Sequence, residues 1–332
     1  HYTDMGVLPR KALFEFGLNQ WFFSLHLISG NVYFQGFLFL IALVFSVSFL
    51  LGYRTRLSGF LAWIMLLSVQ ARNPVVLQGG DVLFRILLFW ALFLPVGARY
   101  SIDAALNTVR PLPLRHVSVG SVGIISQIVF VYVFTAILKS GIPWVEGTAV
   151  YYTLNIEFYN SPLGTWLGEV GGPLLGWLSH ATLILEKYGT ALLFMPFLRG
   201  PFRTFTTFAF MGLHLGFFLT MEIGFFPFIS IVGWIPLLPS WFWEKLTARM
   251  SFPAFKIYYD GDCGFCKKLS HIIRVFLILP NAKILPAQSK PKIHELMEKN
   301  ESWVVDDGKD LSFAYDAILV LARASWVTKI FY

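Results

Sequence analysis

The sequence predicts a bundle of membrane-spanning α-helices followed by a small C-terminal α/β domain. The 332 residues are 56% hydrophobic, with a mean hydropathy of +0.64. Only 14% are charged, against about a quarter in a typical soluble domain. Charge density more than doubles near Ser251, since 25 of the first 250 residues are charged and 20 of the last 82. We therefore expect a multi-span all-α transmembrane domain over 1–250 and an aqueous domain over 251–332.

Apolar runs near the ~20 residues that a crossing helix needs recur along the first domain. They lie at 33–52, 57–70, 82–97, 119–138, 174–197, 204–220 and 223–240. Alternate connections carry positive charge, at Arg54 and Arg56, Arg99, Arg110 and Arg115, Arg199 and Arg203, and Lys245 and Arg249. By the positive-inside rule these connections are cytoplasmic, which places 1–32, 71–81 and 140–173 outside. We expect a multi-pass protein of a bacterial inner membrane with the C-terminal domain in the cytosol.

The C-terminal domain alternates strand and helix patterns. FKIYYD is a β-branched and aromatic run, DGDCGF is a turn, and KKLSHIIRVFLIL has apolar residues at helical spacing. AKILPAQ, PKIHELMEKN, SWVVDD, DLSFAY and DAILVLARA then predict strand, helix, two strands and helix. This is the element order of a thioredoxin-like fold.

The chain's two cysteines, Cys263 and Cys266, stand at the first strand-to-helix turn of this pattern. A helix N-terminus stabilises a thiolate and lowers the thiol pKa. Asp260 and Asp262 oppose this effect and act either as proton acceptors or as the helix N-cap. Half a zinc site and two idle thiols are alternatives, but structural zinc takes four ligands and there is no second cysteine pair. We favour a redox dithiol and expect no metal.

The stretch YYDGDCGFCKK resembles the signature of the DCC family of thiol–disulfide oxidoreductases, whose Asp-x-Asp-Cys-x-x-Cys core follows the first strand. The resemblance covers nearly all of residues 253–325. It implies a dithiol/disulfide site at Cys263 and Cys266, with Cys263 as the attacking thiolate and a cytosolic thiol as partner. The chain departs from thioredoxins in one respect, because no proline precedes SWVVDD where they place a cis-proline facing the dithiol.

Four stretches of the first domain, GYRTR, ARNPVVLQGGDVLFR, LFLPVGARYSID and WVEG, resemble the HTTM family of membrane domains. That family is related to the vitamin K-dependent gamma-carboxylase. The resemblance covers about residues 1–250 and implies a further span before them. LKSGIPWVEG is similar to the carboxylase stretch that carries its catalytic lysine, and Lys139 takes that position. The resemblance implies a quinone or hydroquinone of the vitamin K or menaquinone type, which the lysine deprotonates.

Lys139 is also unusual on the residues alone, because it ends an apolar run at the outer edge of the bilayer. Partial desolvation there favours the neutral amine, a usable base. A lysine snorkelling to the interface is the structural alternative, and pairing with Glu146 would keep it charged. His214 lies at the same level and matches a carboxylase region that has a histidine, although a buried structural histidine is as good an interpretation. We expect a lipid-substrate pocket around these residues and Trp144.

Other ionisable residues beside the outer loop are binding candidates by default. Arg72 and Asn73 flank the loop, and Asp81 lies four residues before Arg85, so those two can pair on one helix face. Where the carboxylase has a histidine after asparagine, this chain has Pro74. Glutamate carboxylation is therefore disfavoured, whereas a lipid-quinone pocket is not.

Together these features predict an integral-membrane oxidoreductase that couples a cytosolic dithiol to chemistry on a quinone or another lipid-soluble substrate. Lys139 is expected outside and the cysteines inside, about 30 Å apart across the hydrocarbon core, so a mobile quinone would have to connect them. One alternative is a carboxylase- or epoxidase-like enzyme that uses Lys139 as base. The other is a non-catalytic membrane receptor or immunity-type protein. A nucleic-acid partner is not expected, since Lys and Arg do not cluster among aromatic residues.

Overall fold

The computed structural model describes residues 1–16, 23–107 and 116–328, and this part of the chain is mostly helical with a small mixed sheet. The helices are α1 (Arg10–Glu15), α2 (Val32–Leu50), α3 (Thr55–Arg72), α4 (Gly79–Ala91), α5 (Ile102–Leu106), α6 (Val119–Leu138), α7 (Ile142–Val145), α8 (Ala149–Leu154), α9 (Pro162–Val170), α10 (Pro173–Tyr188), α11 (Arg199–Thr220), α12 (Phe226–Trp234), α13 (Ser240–Thr247), α14 (Gly264–Phe276), α15 (Pro291–Lys299) and α16 (Ala314–Ala324). The strands are β1 (Lys256–Tyr259), β2 (Lys283–Pro286), β3 (Val304–Asp306) and β4 (Leu311–Phe313). Short 3-10 turns connect several of these elements.

Two of the described helices, α2 and α6, are long and apolar enough to cross a membrane. A third crossing arises if Phe226–Leu237 and Ser240–Thr247, which are bent by 87° from each other, count as one broken span. The seven predicted spans are therefore not confirmed as a set. α4, for example, has 13 residues and rises about 20 Å, less than the hydrocarbon core it would have to cross. Arg110 and Arg115, on which the predicted orientation also rests, lie outside the described residues.

The described residues form two compact units. The first consists of His1–Ala42, Trp63–Leu94 and Val117–Thr247. Its core is aromatic: the rings of Phe210 and Trp234 stack with centroids 4.5 Å apart, and both are fully buried. The stacked rings contribute packing and aromatic contact energy to this unit.

Arg72, the last residue of α3, has a buried guanidinium that binds the first residues of the chain. It donates to the carbonyl oxygens of Leu8 at 2.8 Å and Thr3 at 3.2 Å, and it lies 3.7 Å from the Asp4 carboxylate. Asn73 donates from Nδ2 to the His1 carbonyl at 2.9 Å. The structure thus gives both residues partners within the N-terminal segment.

We expect Arg72→Leu to lower the free energy of unfolding by about 2–3 kcal/mol, because it leaves the carbonyl oxygens of Leu8 and Thr3 without their charged donor. Thermal unfolding in detergent, followed by circular dichroism, measures the shift. Arg56→Leu is the matched control, since Arg56 is exposed. Equal midpoints for the two variants would contradict an anchoring role for Arg72.

The second unit consists of Leu43–Ala62, Pro95–His116 and Ala248–Tyr332. It therefore takes in two segments that precede the boundary predicted at residue 250. The sheet has the strand order β2-β1-β3-β4, with β1 parallel to β2 and antiparallel to β3, and β3 antiparallel to β4. The strands and helices predicted between residues 255 and 324 are present in the predicted order.

Alternate residues of the central strands face opposite sides of this sheet. Ile257 and Val305 pack against α16 and the C-terminal half of α14 on one side. Tyr258 and Val304 pack against Ile293 of α15 on the other. The sheet is accordingly covered by helices on both faces, and α14 is held along one of them.

A connection from the first half of the chain also packs on α14. This is α5, whose Asp103 carboxylate accepts hydrogen bonds from the backbone N–H groups of Arg54 and Thr55 and from the Thr55 hydroxyl. Partial burial raises the pKa of Asp103, but these hydrogen bonds outweigh it and hold the pKa below its usual range. Within the second unit, α5 therefore links the turn before α3 to α14.

Candidate functional site

The two cysteines form a disulfide at the N-terminus of α14. Cys263 is the N-cap residue of this helix, and its Sγ accepts a hydrogen bond from the backbone N–H of Cys266 at 3.2 Å. The four N-terminal N–H groups of a helix have no partner within it and carry partial positive charge. A thiolate formed at Cys263 on reduction would lie where those groups stabilise it.

Hydrogen bonds from the side chains of Asp260 and Gln288 stabilise the turn that leads to the disulfide. Asp260 accepts through Oδ1 from the Asp262 backbone N–H at 3.0 Å and from Gln288 Nε2 at 2.9 Å, while Gln288 Oε1 accepts from the Gly261 N–H at 2.9 Å. The Gln288 hydrogen bond, with that from Asp262, holds the pKa of Asp260 below its usual range. Neither acid is the helix N-cap, because Cys263 takes that place, and sequence reasoning did not anticipate Gln288.

The surroundings of the disulfide are open. Phe265, between the two cysteines, is 72% exposed, and the described residues contain no cis peptide bond. The segment before β3 therefore does not present a cis-proline, as the sequence indicated. The disulfide therefore has an exposed aromatic ring beside it.

A cavity of about 550 Å³ lies in the first unit, between α8, α9, α10 and α11. This volume falls within the range of small-molecule sites. Its walls are mainly apolar, and three threonines, Thr153, Thr182 and Thr220, add hydroxyl groups. Among the described lining residues, Lys139 is the one that carries a charge.

Lys139 follows the last residue of α6 and has two stabilising partners. Its ammonium forms an ion pair with Glu186 of α10 and lies 4.9 Å from the centre of the Trp144 ring. Glu186 is almost fully buried, whereas the predicted partner Glu146 is exposed and lines a separate cleft with Glu169. The pairing predicted with Glu146 is thus replaced by one with Glu186.

The ion pair determines what Lys139 can do chemically. As a cation it can donate a hydrogen bond to an oxygen atom of a ligand in the cavity, and the carboxylate keeps the pair neutral overall. To act as a base the amine must first lose its proton, and the adjacent Glu186 carboxylate is a group that can accept it. Breaking such a buried pair by removing one partner is costly, since the other charge stays buried.

His214 belongs to a second buried group. Trp234 donates from Nε1 to the Tyr132 hydroxyl oxygen at 2.8 Å, and that oxygen lies 2.6 Å from His214 Nε2. If the Tyr132 hydroxyl donates to Nε2, the histidine proton is on Nδ1, and if Nε2 carries the proton, the hydroxyl accepts from both rings. Among the described residues Nδ1 has no hydrogen-bond partner. His214 does not line the cavity itself but contacts Phe217 and Phe226, which do.

Of the site residues predicted for the first domain, the structure brings Lys139 and Trp144 together at the cavity, and besides Glu146 and His214 it leaves four others outside the lining. These are Arg72, Asn73, Asp81 and Arg85. Asp81 accepts at Oδ2 from the Gln78 backbone N–H at 2.8 Å in a capping box at the start of α4. In the described part of the chain no ion pair joins it to Arg85.

Sequence reasoning missed Glu186, although a signal was present. Glu186 falls inside the apolar run 174–197, and an ionisable residue within such a run is a functional candidate. Tyr132 and Trp234 gave no comparable signal, because both resemble ordinary aromatic residues of an apolar helix.

The described residues contain no cluster of three or more His, Cys, Asp or Glu side chains placed to hold a metal ion. Comparison with protein-family models, curated proteins and solved structures finds no match to this chain. What the two sites do must be inferred from their own chemistry.

Proposed function

We propose that the chain is an integral-membrane oxidoreductase that couples thiol–disulfide exchange at Cys263 and Cys266 to chemistry on a quinone or another lipid-soluble substrate. The observation that carries this proposal is the disulfide at the N-terminus of α14, directly after β1 of a sheet ordered β2-β1-β3-β4. A helix N-terminus after a sheet strand is where a thioredoxin-like domain of the DCC type carries its reactive pair.

The proposed reaction has two steps. The thiolate of a cytosolic partner attacks one sulfur of the disulfide, and a second partner thiol resolves the mixed disulfide, which leaves Cys263 and Cys266 reduced and the partner oxidised. The dithiol then gives two electrons and two protons to a quinone. The disulfide is restored and the quinone becomes a hydroquinone.

The cavity supports the quinone half of the proposal. Its apolar walls suit a ring with a hydrocarbon chain, and the Lys139 ammonium offers a hydrogen bond to a quinone oxygen. Because Glu186 neutralises Lys139, the site favours a neutral ligand over an anionic lipid. The HTTM resemblance of residues 1–250 points to the same ligand class. We place residues 1–250 in a bacterial inner membrane as a multi-pass domain, with α2 and α6 among the spans, and residues 251–332 in the cytosol.

The ion pair also gives a specific argument for the second candidate, a carboxylase- or epoxidase-like enzyme. In that case Lys139, after passing its proton to Glu186, deprotonates a hydroquinone. The thiol pair would then regenerate or regulate the enzyme. The third candidate is a non-catalytic membrane receptor or immunity-type protein, which requires no catalysis at either site.

Ultraviolet spectra of menaquinone mixed with the reduced, detergent-purified protein distinguish the three candidates. We expect the wild type to convert menaquinone to its hydroquinone while losing its two thiols, and Cys263→Ser to give no conversion. Conversion that is equal in both proteins overturns the proposal. The reverse mixture, menaquinol with and without oxygen, tests the second candidate, which predicts oxygen-dependent quinol loss that needs Lys139 but not Cys263. No turnover in any sample favours the receptor.

A further inference from the structure

Glycines inside helices need a physical reason, because glycine destabilises a helix interior relative to alanine. Several helical glycines of the first unit have one in the close approach of another element. A Cβ added at Gly80 would lie 2.8 Å from the Phe226 backbone, and one at Gly200 would lie 2.6 Å from the Trp241 ring. At these positions helix packing excludes a side chain.

At Gly212 and Gly216 of α11, no neighbouring element in the described part of the chain approaches closely enough to exclude a side chain. A Cβ added at either would meet no atom of the described residues within 4 Å, and both glycines are exposed. They are four residues apart, so they lie on one face of the helix. Both line the 550 Å³ cavity. The bare backbone of α11 therefore faces open space inside the cavity rather than a packed neighbour.

The remaining cavity wall is built for an apolar occupant. Each of the three facing helices contributes leucine, and these side chains are Leu154 of α8, Leu167 of α9, and Leu178 and Leu185 of α10. A ligand lying between leucine side chains and bare backbone makes only dispersion and hydrophobic contacts there. The charged group of the lining, Lys139, lies at the end of α6 and not on α11.

We infer that Gly212 and Gly216 form the surface that receives the hydrocarbon chain of the ligand, and that their lack of side chains determines which ligands fit. The inference rests on the proposed quinone function and names a part of the ligand, the prenyl chain of a prenylated quinone. A phospholipid acyl chain has the same apolar chemistry and is the competing occupant. A side chain at either glycine would take the volume that the prenyl chain occupies.

Replacing Gly212 or Gly216 by leucine tests this inference. We expect each variant to bind menaquinone at least tenfold more weakly than the wild type in detergent, measured by quenching of tryptophan fluorescence. Gly36→Leu is the matched control, because an added Cβ at Gly36 in α2 also meets nothing within 4 Å and Gly36 does not line the cavity. It should bind like the wild type. Thermal midpoints at or above the wild-type value in all three ligand-free variants show that the fold is intact.

Menadione is a naphthoquinone without the prenyl chain, so its binding distinguishes contacts to the ring from contacts to the chain. The inference predicts that Gly212→Leu and Gly216→Leu bind menadione nearly as the wild type does while losing menaquinone. Equal loss of both probes, or unchanged menaquinone binding, overturns it and leaves the quinone proposal in place. Displacement of menaquinone by excess phospholipid also overturns it, in favour of the acyl-chain occupant. Failure of the wild type to bind menaquinone removes the quinone proposal itself.

Discussion

Replacing either Lys139 or Glu186 alone is expected to lower the free energy of unfolding by about 3–5 kcal/mol, because the remaining charge stays buried without its partner. Glu186 is 2% exposed, and the Lys139 side chain is 16% exposed. The Trp144 ring can stabilise the ammonium only in part, since a cation–π contact contributes about 0.5–2 kcal/mol. Lys139→Met and Glu186→Leu should both be strongly destabilised.

Combining the two substitutions is expected to restore stability to near the wild-type value. The double variant buries no charge, and methionine and leucine approximate the volume of the pair. Buried ion pairs are often replaceable by apolar residues at little or no cost for this reason. The singles and the double together form a double-mutant cycle, which isolates the interaction between the two side chains.

Thermal unfolding of the three variants in one detergent provides the measurement. Lys11→Met is the control for a lysine in an exposed pair, because Lys11 and Glu15 lie 3.9 Å apart with 87% and 63% of their side chains exposed. Such a surface pair contributes about 0–1 kcal/mol, so its loss should hardly move the midpoint. A double variant as unstable as the worse single would contradict a specific pairing of Lys139 with Glu186.

The same double variant separates stability from function. It retains the fold and the apolar walls but lacks the hydrogen-bond donor of Lys139. If Lys139 orients a quinone oxygen, the double variant should bind menaquinone more weakly than the wild type. It is therefore a better probe of the role of Lys139 than Lys139→Ala, whose instability would obscure the result.

The α/β segment was predictable because its signals are local. Each strand and helix between residues 255 and 324 shows its own periodicity, and Ile257 and Tyr258 face opposite sides of the sheet as alternation requires. The position of Cys263 at the strand-to-helix turn followed from the same local pattern. The hydrogen bonds of Gln288 did not, since they join two turns that are 27 and 28 residues apart in the chain.

The apolar half was less predictable, because hydropathy does not distinguish a crossing helix from a helix packed inside a bundle. The run 223–240 forms the 9-residue helix α12 and a 3-10 turn rather than one continuous span. The sequence offered Glu146, seven residues away, as an alternative partner of Lys139, whereas the structure pairs Lys139 with Glu186, 47 residues away. Sequence also does not show that Gly212 faces open space and Gly80 a neighbouring backbone, since both are simply glycines in apolar helices.

Replacing Cys263 by serine is expected to slow attack on a disulfide by about tenfold or more, whereas Cys266→Ser should stop the reaction at a mixed disulfide. The two sulfurs differ in position: Cys263 Sγ lies at the N-cap and accepts the N–H of Cys266, while Cys266 lies within the first turn of α14. The helix N-terminus therefore stabilises a thiolate at Cys263 more than at Cys266. Attack requires the thiolate, and release of the bound partner requires the second thiol.

The two variants should give opposite results with one probe. When each reduced variant is mixed with oxidised glutathione, Cys266→Ser should accumulate a glutathione adduct, seen as a mass increase of the intact protein. Cys263→Ser should react on the order of tenfold or more slowly, since its remaining thiol lacks the N-cap position. The substitution is the same at both sites, so each variant controls for the general effect of losing a thiol.

Equal adduct formation would show that the helix N-terminus does not select Cys263, and faster reaction of Cys263→Ser would exchange the roles of the two cysteines. In either case the proposed redox role of the pair is retained, and what changes is which sulfur reacts first with the partner.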